Sequence, residues 1–193
     1  MQDIRRSNQQ RSDETRCALI AAARALFIVK GFAATSTPDI VAAAGVTRGA
    51  LYHHFKDKKD LFRAVLVAES AAVAEAIELT APPSLVPIDS LLQGANVYLD
   101  AMQVAGRTRL MLIDGPAVLG ASVASAIDSD HAEATLRAGL EALLLGSDPA
   151  GLDAMTNLLS AAFDRAALAI NDQLDPQPYR NAIAMLLRCL SNF

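Results

Sequence analysis

The residue types that can do chemistry in this chain are concentrated between Thr47 and Lys59. Arg48 can pair bidentately with a guanine edge in a DNA major groove. Thr47 can meet a base edge or a phosphate, and Gly49 lets the backbone come close. Tyr52 and His53 can donate hydrogen bonds to phosphates, which set register but carry no sequence information. Lys56, Lys58 and Lys59 cluster where a further helix should begin. Their charge, added to the free N–H groups of a helix start, makes a phosphate anchor.

The elements that must hold these side chains are legible from their end signals. Thr37 stands before Pro38, and Asp39 adds negative charge at the positive end of the helix dipole, so a helix is predicted from Pro38 with Thr37 as its cap. Gly45 can adopt the left-handed conformation that ends it after Ala44. Thr47 is a second cap, with Val46 and Leu51 at hydrophobic-staple spacing. The second helix runs from Arg48 to His54 or Phe55 and buries Leu51 and Phe55. That leaves Thr47, Arg48, Gly49, Tyr52 and His53 on or beside the outer face. Two short helices joined by a tight turn with a glycine describe a helix-turn-helix. Asp57 caps the helix that follows.

Other chemistries fit less well. His53 and His54 point to different helix faces, no Cys or carboxylate stands at ligand spacing, and the remaining histidine, His131, is remote, so no metal site is expected. His54 suits either DNA contact or packing within the head. No nucleophile motif is present, and Cys17 lacks a context for activation, so no catalytic residues, and no cofactor, are expected. Asp128 and Asp130 read as solvated surface. Cys17 and Cys189 read as reduced thiols.

Charge divides the 193-residue chain. Its formal net charge is −4, but residues 1–63 carry 11 Lys and Arg against 6 Asp and Glu, whereas residues 64–193 carry 6 Arg, no Lys and 15 acids. A basic head on an acidic body suits a reader of polyanions. The hydrophobic fraction of 52%, with only 5% aromatics, favours closely packed helices. No uninterrupted apolar run reaches the roughly 18 residues of a membrane span, and the polar N-terminal stretch does not read as a signal peptide, so a cytoplasmic protein without a membrane partner is expected.

Periodicity and stop signals lay out the rest. A helix over about 13–30 places Leu19, Ala22, Ala23, Leu26 and Phe27 on one face, ends at Gly31, and lets Phe32 fold back. A helix over 58 to about 80 buries Phe62, Val65, Leu66 and Val73 and leaves Glu69, Glu75 and Glu78 more exposed. Helices follow near 88–105, 107–114, 116–145 (with a possible break around Ser129), 149–171 and 176–191. The last two carry apolar stripes, among them Leu158, Ala161, Ala162, Arg165, Ala169, Ile183, Leu186, Leu187 and Leu190. Two such hairpins can pair as a four-helix bundle across a two-fold axis, so homodimerisation is expected there.

The segment GVTRGALYHHFKDKKDLF (Gly45–Phe62), preceded by FIVKGFAATSTPDIVAAA (Phe27–Ala44), closely resembles the DNA-binding domain of the tetracycline-repressor (TetR/AcrR) family. The resemblance implies that Thr47, Arg48, Gly49, Tyr52, His53 and His54 belong to the recognition helix and that Thr37 and Lys58 touch phosphates. DGPAVLG (Asp114–Gly120) resembles a helix junction of one subgroup. The resemblance further implies that the body helices enclose an effector pocket. Tyr98, Met102, Met111, Asp114, Asn157 and Phe163 are its candidate lining, since Met and aromatics suit an adaptable apolar cavity.

The expectation is an all-α chain of about nine helices. It has a disordered basic arm over 1–12, a helix-turn-helix domain over 13–60, and an effector-binding and dimerisation domain over 61–193. The expected function is that of a DNA-binding transcriptional regulator: a homodimeric repressor on a palindromic double-stranded operator, released by a small-molecule effector. The alternative is a helical small-molecule-binding protein or enzyme whose DNA-binding head is inactive.

Overall fold

The structure, a computed structural model, describes residues 8–80, 86–146 and 148–191. These residues are helical throughout and include no strand: α1 (Asn8–Ala34), α2 (Thr37–Ala44), α3 (Arg48–His54), α4 (Lys58–Thr80), α5 (Pro87–Met102), α6 (Arg107–Arg109), a π-helical turn (Leu110–Asp114), α7 (Gly115–Leu119), α8 (Ala121–Ser129), α9 (Ala132–Leu143), α10 (Pro149–Asn171) and α11 (Pro176–Leu190). The chain forms two compact units, Met1–Val67 and Ala68–Phe193.

In the first unit, α1 begins at Asn8, ahead of the expected Asp13, so the last residues of the expected arm are helical; residues 1–7 lie outside the described residues. Gly31 breaks the helix with φ 77°, a left-handed backbone conformation open to glycine. The turn brings Phe32 back against Phe27, with ring centroids 5.7 Å apart. Both rings meet Phe62 at 5.1 Å, in edge contacts that aromatic pairs favour. Leu19, Ala23, Ile40, Leu51 and Leu61 complete this core and are fully buried. By length and composition α1 is apolar enough to cross a membrane, which counting unbroken apolar runs did not reveal; here its Leu19–Ala23–Phe27 stripe is core.

The second unit packs α5, α9, α10 and α11 around Leu91, Leu99, Leu140, Leu159, Phe163 and Leu187. Burying each large apolar side chain contributes about 1.5–3 kcal/mol. Pro149 and Pro176 start α10 and α11, each behind an aspartate whose side chain accepts a backbone N–H, as their sequences predicted. Other expectations need correction. The segment expected over 116–145 does break after Ser129, where the chain bends at Asp130–His131, but it also breaks at Gly120, which turns at φ 94°, so it forms α7, α8 and α9. The helix expected over 107–114 is α-helical only to Arg109 and then widens into the π turn. Glu69, expected outside, is only 6% exposed: its carboxylate accepts from Arg107 Nε at 2.9 Å. Arg107 Nη1 also donates to the Ala101 carbonyl at 2.8 Å.

Candidate functional site

The outer face of α3 is built from the buried side upward. Leu51 is fully buried and Phe55 nearly so, which fixes the roll of the helix and turns Arg48, Gly49, Tyr52 and His53 outward. Thr47 caps the helix as expected: its hydroxyl accepts from Ala50 N at 3.1 Å while the residue itself remains exposed. Open space surrounds Gly49 apart from the Thr47 hydroxyl 3.8 Å from where a Cβ would stand, so packing within the unit does not require a glycine there.

Tyr52 is 45% exposed, and the Arg48 guanidinium stands 5.5 Å from its ring centroid. Hydrogen bonding with Thr37, and then with Arg48, lowers the pKa of its phenol. Thr37, Arg48 and Tyr52 therefore form one polar group joining the start of α2 to the outer face of α3. His53 is exposed. His54 is half-buried, its ring 5.2 Å from that of His53 and 6.3 Å from that of Phe55, which places it at the edge of the face.

The structure corrects the cap of α2 and gives Lys58 an inward role. Ser36, not Thr37, caps α2, its hydroxyl accepting from Asp39 N at 3.2 Å; Thr37 is the first helical residue. Lys58 directs its ammonium inward, donating to the carbonyls of Phe32 and Thr35, each at 2.8 Å, and lying 4.3 Å from the Phe32 ring centroid. Two of its three donors thus close the end of α1, whereas Lys56 and Lys59 are exposed. Asp57 caps α4 as predicted, accepting from Asp60 N at 2.8 Å.

The second unit holds a cavity of about 480 Å³ between α4, α5, α8, α9 and α10. Tyr98 and Phe163, two of the candidates named from the sequence, line this cavity with their rings edge-on at 5.4 Å. The other candidates lie elsewhere. Met102 is fully buried in the core and Met111 packs partly against it. Asp114 faces Arg109 at 3.4 Å, and Asn157 is exposed and donates to the Asp153 carbonyl. The lining missed from sequence is acidic: Glu78, Asp128, Asp130 and Glu133, with His131 beside them. Asp128 accepts from the Ser160 hydroxyl at 3.4 Å, and burial first, then the charges of Asp164 and Glu133, push its pKa up to about 7. Asp164, raised chiefly by burial, accepts from the Tyr98 hydroxyl at 2.7 Å. The phenol itself is raised well above its ordinary value by burial and by Asp164. An Asp128–Asp130 pair in an acidic chain carries no sequence signal of enclosure; only the bend after α8 brings it to this cavity. Among the described residues, no group of three or more His, Cys, Asp and Glu is arranged to hold a metal ion.

The apolar stripes of α10 and α11 divide into two faces. Ala169, Ile183 and Leu187 are buried in the unit's own core, whereas Leu158, Met185 and Leu186 are exposed at 70%, 63% and 44%.

Comparisons with known proteins agree with both units. Residues 19–65 match the family model for bacterial regulatory proteins of the TetR family. Residues 88–192, more than half the chain, match the tetracycline-repressor-like C-terminal domain. The HTH-type transcriptional regulator AcrR of Shigella flexneri is 43% identical over 70 residues, 36% of this chain and 33% of that protein. The HTH-type transcriptional repressor BepR of Brucella suis biovar 1 is 39% identical over 61 residues, 32% of this chain and 29% of its own. These curated relatives are thus matched over about a third of their length. A crystal structure of a TetR-family transcriptional regulator from Pectobacterium atrosepticum is 27% identical, with a TM-score of 0.69, over 96% of this chain and 95% of that one. A short helix with its polar face outward and a helical body, each in a stretch matched by its own family model, lead to one conclusion: the chain belongs to the TetR family of bacterial transcriptional regulators.

Proposed function

We propose that this regulator is a ligand-responsive repressor. It binds a palindromic operator in the cytoplasm as a homodimer and is released by a small molecule held in the body cavity. The observation that carries the DNA-binding assignment is the outer face of α3, where Thr47, Arg48, Tyr52 and His53 stand exposed over buried Leu51 and Phe55. Arg48 reads a base edge, Tyr52 and His53 hold phosphates, Gly49 gives clearance, and His54 supports the edge of the face. Thr37 reaches a phosphate from the start of α2, in company with Tyr52.

Exposed Leu158, Met185 and Leu186 support pairing through α10 and α11, since single apolar side chains left outside along one helix pair gain by burial against a second copy. A two-fold dimer matches two half-sites one helical turn apart. The cavity, of a size that suits a small molecule, supports the effector role. A ligand that binds one body conformation better shifts the population towards a state unable to span both half-sites. The Glu69–Arg107 pair ties α4 to α6 and gives such a shift a route into α4.

Operator selection from a random DNA pool, followed by binding measured against salt, tests this function. The expected result is one palindromic sequence bound specifically, with affinity that falls steeply as salt rises. The cavity equally favours a second function, a small-molecule-binding protein with an inactive head; absence of any selected sequence, with ligand binding retained, would establish it in place of the repressor.

A further inference from the structure

The cavity combines an apolar wall with one sign of charge. Ile77, Leu91, Leu136 and Phe163 supply hydrocarbon and aromatic surface, while Glu78, Asp128, Asp130 and Glu133 supply carboxylates; among the described residues, no Lys or Arg is in the lining. Arg137, on α9, is occupied by Asp153 and Glu141. Glu133 already accepts from Ser129, and Asp164 from Tyr98, whereas among the described residues Asp128 accepts only from the Ser160 hydroxyl, at 3.4 Å.

The geometry points to an organic cation with an apolar body as the ligand of this cavity, its positive centre against Asp128 and its body against the Tyr98 and Phe163 rings. This rests on the cavity being the effector site of the proposed repressor. An anion placed here meets four carboxylates and no compensating cation. A neutral apolar molecule leaves Asp128 with its present neighbours. A cation offsets the mutual repulsion of Asp128, Asp164 and Glu133, and the edge-on rings of Tyr98 and Phe163 add cation–π attraction.

Proton linkage follows from the same arrangement. The titratable groups around Asp128 are Glu78 from α4, Tyr98 from α5, His131 and Glu133 at the start of α9, Asp164 from α10, and Asp130 just beyond α8. Asp128 is close to half-protonated at neutral pH. A cation binds its ionised form, so binding expels a proton and tightens as pH rises through about 7.

The test uses the full chain and two near-isosteric probes of opposite charge, tetraphenylphosphonium and tetraphenylborate. Calorimetry at pH 6 and pH 8, in buffers of different ionisation enthalpy, gives affinity and proton release. Tetraphenylphosphonium is expected to bind at least tenfold more tightly than tetraphenylborate, to gain severalfold between pH 6 and pH 8, and to release protons. Asp128→Asn should weaken it about tenfold and flatten the pH dependence, with thermal melting showing the variant folded. Ser160→Ala, which keeps the carboxylate, should retain the charge preference. Equal binding of both probes, binding of neither, or unchanged affinity in folded Asp128→Asn would overturn the cation assignment. The effector function is judged separately: if a neutral or anionic compound releases the operator, that function stands and only the ligand class is wrong, whereas operator binding indifferent to every cavity ligand removes the effector function itself.

Discussion

Lys58 donates to the carbonyl of Phe32 at 2.8 Å and lies 4.3 Å from the ring centroid of that same residue. With its second bond, to the Thr35 carbonyl, it fastens the end of α1 to the start of α4. Hydrogen bonds from a charged donor each contribute about 1.5–3 kcal/mol. Lys58→Met, which keeps the stem over the ring, is therefore expected to destabilise the first unit by about 3 kcal/mol or more in chemical denaturation. Operator affinity should fall only as the folded population does. An unchanged denaturation midpoint, with the salt slope of DNA binding reduced by about one, would instead make Lys58 a phosphate contact.

Arg48 and Tyr52 touch one another but should fail differently. Arg48→Ala is expected to cost about 1–3 kcal/mol of operator affinity and to relax base preference at one position of each half-site. Tyr52→Phe keeps the ring beneath the guanidinium and loses the hydroxyl, so its weakening should be uniform across DNA sequences. Both residues are exposed, and melting should not move. Competition binding against single-base operator variants separates the two patterns.

The raised pKa of Asp128 makes the unliganded body pH-sensitive. Its folded value of about 7 lies above its ordinary value of 3.8. The folded state therefore holds the proton more tightly, and this stabilisation is complete below pH 3.8 and lost as pH rises to about 7. Removing the ionisable group should restore stability at high pH. Asp128→Asn is expected to exceed the parent by on the order of 2 kcal/mol at pH 8, allowing for partial exposure, and to approach it near pH 4. Melting curves across that range, without ligand, check the convergence; parallel curves would mean that Asp128 titrates normally.

Arg107 is held by the Glu69 carboxylate and the Ala101 carbonyl, and both charged side chains are about nine-tenths buried. Arg107→Met leaves a buried carboxylate without its guanidinium, which costs about 3–5 kcal/mol. The double variant Glu69→Gln with Arg107→Met should recover much of that loss. Additive losses in denaturation experiments would show that the two residues act separately.

Gly139 faces Leu91 where α9 crosses α5. A Cβ at 139 would stand 2.6 Å from Leu91 Cδ2 and 3.2 Å from its Cγ, and Leu91 is buried. Gly139→Ala is expected to lose about 1–3 kcal/mol by overpacking, despite the gain in helix propensity. Pairing it with Leu91→Ala should relieve the clash; thermal melting of the single and double variants measures it.

Local chemistry was enough to determine the head. Thr47 before Arg48, Gly45 after Ala44 and Asp57 before Lys58 mark helix ends through hydrogen bonds that span only a few residues, so α3 and the start of α4 are legible without a fold. Period and proline placement likewise set α10 and α11. Long-range packing decided the rest. Lys58 turned inward because carbonyls 23 and 26 residues away converge on it. Glu69 was buried because Arg107, 38 residues on, reaches it. The cavity acquired Asp128 and Glu133, not Met111 and Asn157, because bends at Gly120 and Asp130–His131 set the roll of α8 and α9. Sequence periodicity specifies which residues share a helix face. Which partner that face meets depends on helix crossings between distant segments, and those only the tertiary structure decided.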